Sequence, residues 1–229
     1  MRQFSIGYNL TSIVEEQGRS QNNRMANKSY SHIEIIYFDA GGVLYRLTRG
    51  LQLLSQKVGL FFEDCKNILS ELDVSICRGE TDPQELWNRI KAAANYEGDD
   101  LDIVSFWVDH FDPILEVHNL VRDLSKNRKV GLLTIIYPGA FALALEKEKI
   151  PNIPYFSVIQ SCEVHSVKPD PSIYKLAEIR AKVRLEEILF IDDNPKYLFP
   201  AKLRGWNTFL FETGKLDQKV KTLRTNFGA

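Results

Sequence analysis

From Ile33 onward the apolar positions of the chain follow two rhythms. Short continuous apolar runs predict strands at Ile33–Phe38, Val130–Thr134, Tyr155–Gln160, Ile188–Ile191 and Thr208–Phe211. Between the later runs, apolar residues recur at helical spacing, which predicts helices over Ala140–Lys149, Pro171–Ala181 and Pro195–Arg204. Strands that read as unbroken apolar runs are those buried on both faces, and strand–helix alternation supplies the helices that bury them. The expected fold is α/β: a Rossmann-like parallel sheet with helices on both faces.

The first strand breaks this rhythm. Residues 39–129 separate it from the second, far more chain than one crossover helix needs. Helical spacing covers Leu51–Val58, Phe61–Leu72, Pro83–Ala94 and Ile103–Phe111, and Asp82 before Pro83 reads as a helix start. A small α-helical cap over 47–111 is therefore expected, inserted after strand one, with 33–46 and 112–229 forming the core. The helix Pro113–Lys126 returns the chain to the sheet. Residues 1–32, rich in Asn, Gln and Ser with no sustained period, read as a flexible extension.

Composition narrows the class of protein without identifying it. A formal net charge of -1 gives no electrostatic footprint for nucleic acid. No apolar run approaches the roughly 18 residues expected of a spanning helix, and the first residues lack the pattern of a secretion signal. Cys65, Cys77 and Cys162 show no pairing or metal spacing, which suits a reducing cytoplasm. The histidines likewise show no ligand spacing.

Candidate chemistry lies at the strand ends. In "IEIIYFDAGGVL44" an apolar run ends in Asp39, followed by Ala40 and the pair Gly41-Gly42. Ligands of open parallel sheets bind beyond the carboxyl ends of the strands. A carboxylate there can hold Mg²⁺ or act as a nucleophile, and glycines let backbone approach a ligand closely. Taken alone it could equally be an aspartate capping its own turn. Strand two closes on Thr134 in "KVGLLT134"; Lys168 precedes a Pro-Asp-Pro turn in "HSVKPDPSIY174"; and "ILFIDDNP195" ends a strand in Asp192 and Asp193. Adjacent carboxylates repel unless a cation is near. Each signal has a bland explanation in strand closure, a solvated lysine or a helix cap, but the ordered set, each at a strand end or helix start, does not.

With these four stretches the chain resembles the haloacid dehalogenase-like hydrolases, over about residues 33–211. "VKPDPSIYKLA" and "ILFIDDNPKYLFPAKLRGW" are close to that family's pattern, and "RGETDPQELW87" resembles the cap segment of a phosphatase subgroup that often acts on sugar phosphates. The resemblance implies Asp39 as nucleophile, forming an aspartyl-phosphate. It implies Mg²⁺ held by Asp39, the Gly41 carbonyl and Asp193, with Asp192 assisting. Thr134, Lys168 and the backbone amides of Gly41 and Gly42 would bind the phosphoryl group. Arg46 is a further candidate for the substrate phosphate, weighed against a surface ion pair. The implied substrate is a small-molecule phosphate ester, handled by a monomer or homodimer with no nucleic-acid or membrane partner.

Gly41 departs from the pattern: most phosphatases of the family carry a general-acid aspartate there. Ile135 follows Thr134 where Asn is usual, and Tyr197 replaces a polar residue four positions past Asp193. Three readings stay open: a phosphatase whose leaving group needs little protonation, such as an anomeric sugar phosphate, or which borrows an acid from cap, substrate or water; a metal-independent 2-haloacid dehalogenase; and a non-catalytic phosphate-binding protein. Trp87, Trp107 and Phe111 are expected to be cap core rather than a stacking platform.

Overall fold

The computed structural model of the chain describes residues 30–47 and 49–228. Most of the N-terminal extension, residues 1–29, lies outside them. Tyr30 is buried and its ring lies 5.1 Å from that of Phe227, so the packed chain starts at least three residues before Ile33.

Five strands form one parallel sheet: β1 (Ile35–Phe38), β4 (Lys129–Thr134), β5 (Ser157–Gln160), β6 (Ile188–Asp192) and β7 (Asn207–Leu210), in the order β5-β4-β1-β6-β7. The chain winds outward from β1 to β5, then returns to the other side of β1. That reversal is the topological switch point where ligands of such sheets bind. Alternate side chains of β1 serve opposite faces. Ile36 and Phe38 join one hydrophobic cluster with Leu132, Leu189 and Ile191, whereas Ile35 and Tyr37 join another with Leu133, Phe190 and Trp206. Helices cover both faces, as the unbroken apolar strands require.

Between β1 and β4 lies the insert, framed by a two-stranded antiparallel pair, β2 (Tyr45–Leu47) and β3 (Phe111–Pro113). Within the frame run helices α1 (Gly50–Val58), α2 (Phe62–Cys77), α3 (Gln84–Ala93) and α4 (Ile103–Asp109). The expected helix Ile103–Phe111 stops two residues short because Phe111 enters β3, where its ring stacks on Tyr45 at 4.0 Å. Three-residue strands carry too little periodicity to be read in advance. In α2 the buried or packed positions Cys65, Ile68, Leu69, Leu72 and Ile76 form one helical stripe.

After β3 come α5 (Leu115–Leu124), then α6 (Ala140–Glu146), α7 (Ser161–Val164), α8 (Pro171–Ala181), α9 (Pro195–Leu203) and α10 (Leu216–Phe227). Two ion pairs help tie the insert to the core. Arg78, just past α2, pairs with Asp170 at 2.8 Å, and the Gly79 backbone comes so close to the Cys162 carbonyl that a Cβ would sit 2.4 Å from it. Lys147 past α6 pairs with Asp109 at 2.7 Å. No helix among the described residues is long and apolar enough to cross a membrane.

Candidate active site

Register places the chemistry. Phe38 pairs with Leu132 on one side and Ile191 on the other, and the Asp39 amide donates to the Ile191 carbonyl at 2.8 Å. Asp39 is thereby level with Asp192 at the ends of neighbouring strands. Two residues past Asp192, Asn194 caps α9, its side chain accepting from the Lys196 amide at 3.0 Å with Pro195 at the first helical position. Asn194 thus takes the capping role, and its own amide donates to Asp192 Oδ1 at 2.7 Å. Asp193, between them, is exposed toward the cavity.

Lys168 joins the two strands. Its side chain is fully buried, with Nζ 2.9 Å from Asp39 Oδ1 and 2.6 Å from Asp192 Oδ2. The ammonium also lies 5.2 Å from the Phe190 ring and 5.0 Å from the Tyr197 ring. Tyr197, which sequence showed only as a missing polar residue, therefore forms one wall of the lysine's pocket.

Burial pushes the Asp39 carboxyl up to about 7; Lys168 opposes the rise and Asp192 adds to it. Burial disfavours the Lys168 ammonium, but the charges of Asp39 and Asp192 outweigh that and hold its proton more tightly than usual. Asp193 is also raised, by partial burial and then by Asp192. One buried cation facing three carboxylates leaves the cluster short of positive charge.

Asp39, Asp192 and Asp193 can each present an oxygen within 4.8 Å of the others. Hard oxygen donors so grouped suit Mg²⁺, and the charge deficit is one that a divalent cation relieves. Gly42 makes the grouping possible. At φ 77°, a Cβ there would fall 2.0 Å from Asp193 Oδ2. Its amide donates to the Tyr45 carbonyl at 2.8 Å, closing the turn, so Gly42 makes room for a carboxylate rather than offering its N–H to a phosphate. Gly41 is open, with nothing nearer than 3.7 Å to a Cβ.

A cavity of about 880 Å³ stands over this cluster. Asp39, Gly41, Gly42, Asp193 and Tyr197 form part of its floor. Thr134 stands at the end of β4, fully buried, and does not line the cavity; Ile135 and Ile136 after it do. Arg46 reaches the wall, and its guanidinium lies 3.7 Å from Asp112 across the β2–β3 pair, the surface ion pair weighed above. Leu69, Asp73 and Cys77 reach the cavity from one face of α2, and Val104 and Trp107 from α4. Trp87 is fully buried insert core as expected; Phe111 is buried in the same cluster and Trp107 packs against it, and both also line the cavity. Spacing of i, i+4, i+8 in α2 and i, i+3 in α4 marks a shared face, but not which face meets the core.

The paired acids and the buried lysine thus meet at the switch point of a parallel sheet, where ligands of such folds bind. A family profile for haloacid dehalogenase-like hydrolases matches residues 33–198, and the chain belongs to that family. It is similar to a predicted HAD-like family hydrolase from Porphyromonas gingivalis, at TM-score 0.69 and 23% identity over 85% of this chain and 99% of that one. It is also similar to a HAD family enzyme of Bacteroides thetaiotaomicron solved in complex with magnesium and inorganic phosphate. There the TM-score is 0.65 and the identity 22%, over 80% and 96% of the two chains. At these identities the likeness shows the fold alone. A segment of 58 residues, 25% of the chain, is 41% identical to bifunctional epoxide hydrolase 2 of Sus scrofa and spans only 10% of that protein's length.

Proposed function

We propose that this hydrolase is a Mg²⁺-dependent phosphatase that cleaves a small phosphate monoester through an aspartyl-phosphate on Asp39. The observation that carries this reading is Lys168, buried and bonded at once to Asp39 and Asp192 beside a third carboxylate. Attack on carbon asks for no such cluster of acids around the nucleophile, whereas phosphoryl transfer needs charge neutralised and groups positioned. The magnesium complex of the Bacteroides thetaiotaomicron enzyme supports the choice of metal.

Asp39, Asp193 and the Gly41 carbonyl would hold Mg²⁺, with Asp192 assisting, and the ion would offset charge on the phosphoryl oxygens. An Asp39 oxygen attacks phosphorus in line, forming the aspartyl-phosphate as the ester P–O bond breaks. Lys168 keeps Asp39 oriented and lowers the repulsion between an anionic nucleophile and an anionic ester. The leaving oxygen takes its proton from water, because Gly41 has none to give. Water then attacks the same phosphorus, releasing phosphate and restoring Asp39. The helices of the insert act as the cap that covers these steps.

Phosphate release from a panel of esters, with Mg²⁺ or with EDTA and beside Asp39→Asn, tests the reading. Expected is metal-dependent release that Asp39→Asn lowers by about 10⁴-fold or more, the scale of removing an attacking nucleophile. Halide release from 2-haloacids without metal, and no phosphate from any ester, would sink it in favour of a dehalogenase. A folded protein inactive in both assays would leave a phosphate-binding role.

A further inference from the structure

The cavity above the carboxylates differs in kind from the cluster beneath it. Leu47, Leu51, Leu69, Val104 and Trp107 face it from β2 and the insert, and Ile135 from the core. The aromatic pair Tyr45–Phe111, stacked at 4.0 Å and 4°, adds a flat wall. The ring of Trp107 lies over Gly50, where a Cβ would meet it at 2.4 Å, so the indole is held at the cavity by the absence of a side chain opposite.

Three of the polar side chains up there already have partners. Asp73 Oδ1 accepts from the Tyr137 hydroxyl at 2.7 Å, Arg46 pairs with Asp112, and His110 Nδ1 lies 2.7 Å from the Phe106 carbonyl. A sugar brings several hydroxyls that lose water on entering and need donors and acceptors in return. An apolar ring asks for none and gains from covering these side chains.

We infer that the leaving group is an apolar aromatic one, so that this chain prefers aryl phosphate monoesters to phosphorylated sugars. The inference rests on the phosphatase reading for the phosphoryl end. A second feature agrees independently: Gly41 supplies no general acid. As the bond between phosphorus and the phenolic oxygen breaks, the electron pair stays on oxygen and phenolate leaves, taking a proton from water afterwards. The alkoxide of an ordinary sugar hydroxyl is a far stronger base and leaves poorly without an acid; the anomeric oxygen of glucose 1-phosphate lies between it and a phenolate.

The experiment compares kcat/KM for phenyl phosphate, 2-naphthyl phosphate and glucose 1-phosphate with Mg²⁺. The two phenols leave with nearly equal ease, so their ratio reads the cavity rather than the leaving group. Expected is a naphthyl advantage of roughly 10-fold or more, as an apolar pocket yields for added buried area, with glucose 1-phosphate behind both. Trp107→Ser, checked for folding by circular dichroism, should bring the naphthyl-to-phenyl ratio toward one. A ratio near one in the unaltered protein, or glucose 1-phosphate equal to the naphthyl ester, overturns the inference. If no ester is cleaved, the phosphatase reading fails, and calorimetric titration with 2-naphthylmethylphosphonate and a glucosyl phosphonate decides the cavity's preference by itself. Tighter naphthyl binding upholds it; equal binding, tighter glucosyl binding or no binding of either overturns it.

Discussion

At the carboxyl edge of the sheet, Asp39 and Asp192 are buried and each bonded to the buried Lys168 between them. Across the cavity, Leu69, Val104 and Trp107 are only partly buried and sit on helices held to the core in part by two ion pairs. The floor gathers charge where the dielectric is low, so each group there depends on its neighbours. The facing wall gathers apolar surface, where one side chain can replace another of similar size at small cost. The comparison teaches where chemistry and selectivity can vary separately: the first is a coupled cluster, the second a sum of nearly independent contacts.

The sharpest way to break this comparison is to remove the cation from the floor. Lys168→Met keeps the length of the side chain but leaves Asp39 and Asp192 unpaired in a buried site. The expected loss of folding stability is about 3–5 kcal/mol, as for other broken buried pairs, read by urea denaturation at pH 8. The sign with pH follows from the carboxyls. Asp39 already has a raised proton affinity, and losing Lys168 raises it further, so the folded state binds protons that the unfolded state releases. The deficit should therefore shrink as pH falls from 8 toward 5. A deficit that stays constant would mean that the cluster is not electrostatically coupled.

A smaller and more local test separates the two glycines. Gly42→Ala drives a Cβ into the Asp193 carboxylate at a backbone angle that alanine disfavours, whereas Gly41→Ala meets nothing closer than 3.7 Å. Mg²⁺ affinity, followed by calorimetry, should fall roughly 10- to 100-fold in the first, the scale for disturbing what supports a metal ligand, and change little in the second. Equal behaviour of the two would show that Asp193 is not held as described.

The smallest effect expected involves only the metal. Mg²⁺ should raise the unfolding midpoint more at pH 8 than at pH 5.5. Below its pKa of about 7 the Asp39 carboxyl is mostly protonated, and the proton competes with the ion. A rise independent of pH across that window would count against Asp39 as a ligand.

The strands, their order of chemistry and the paired acids were legible because each is local. An apolar run that ends in a carboxylate is a few residues of chain, and parallel register then sets Asp39 beside Asp192. Thr134 was legible as a strand end but not as a fully buried residue, since the turn after it sends Ile135 and Ile136 to the cavity instead. Gly42 was read as a donor of backbone amide, yet its amide closes a turn and its missing Cβ is what matters. That role depends on Asp193, far away in the chain. Lys168 was recognisable beside its Pro-Asp-Pro turn, while its aromatic neighbours Phe190 and Tyr197 were not. Periodicity marked the faces of α2 and α4 and left open which solvent, core or cavity each would meet. Residue order alone settled which groups stand at the ends of which strands, because that follows from short apolar runs and the pleat of a parallel sheet. Only the tertiary structure decided which of those groups touch, and that the space above them is walled by leucine, valine and tryptophan, because contacts between distant segments depend on how helices pack and not on any local rule.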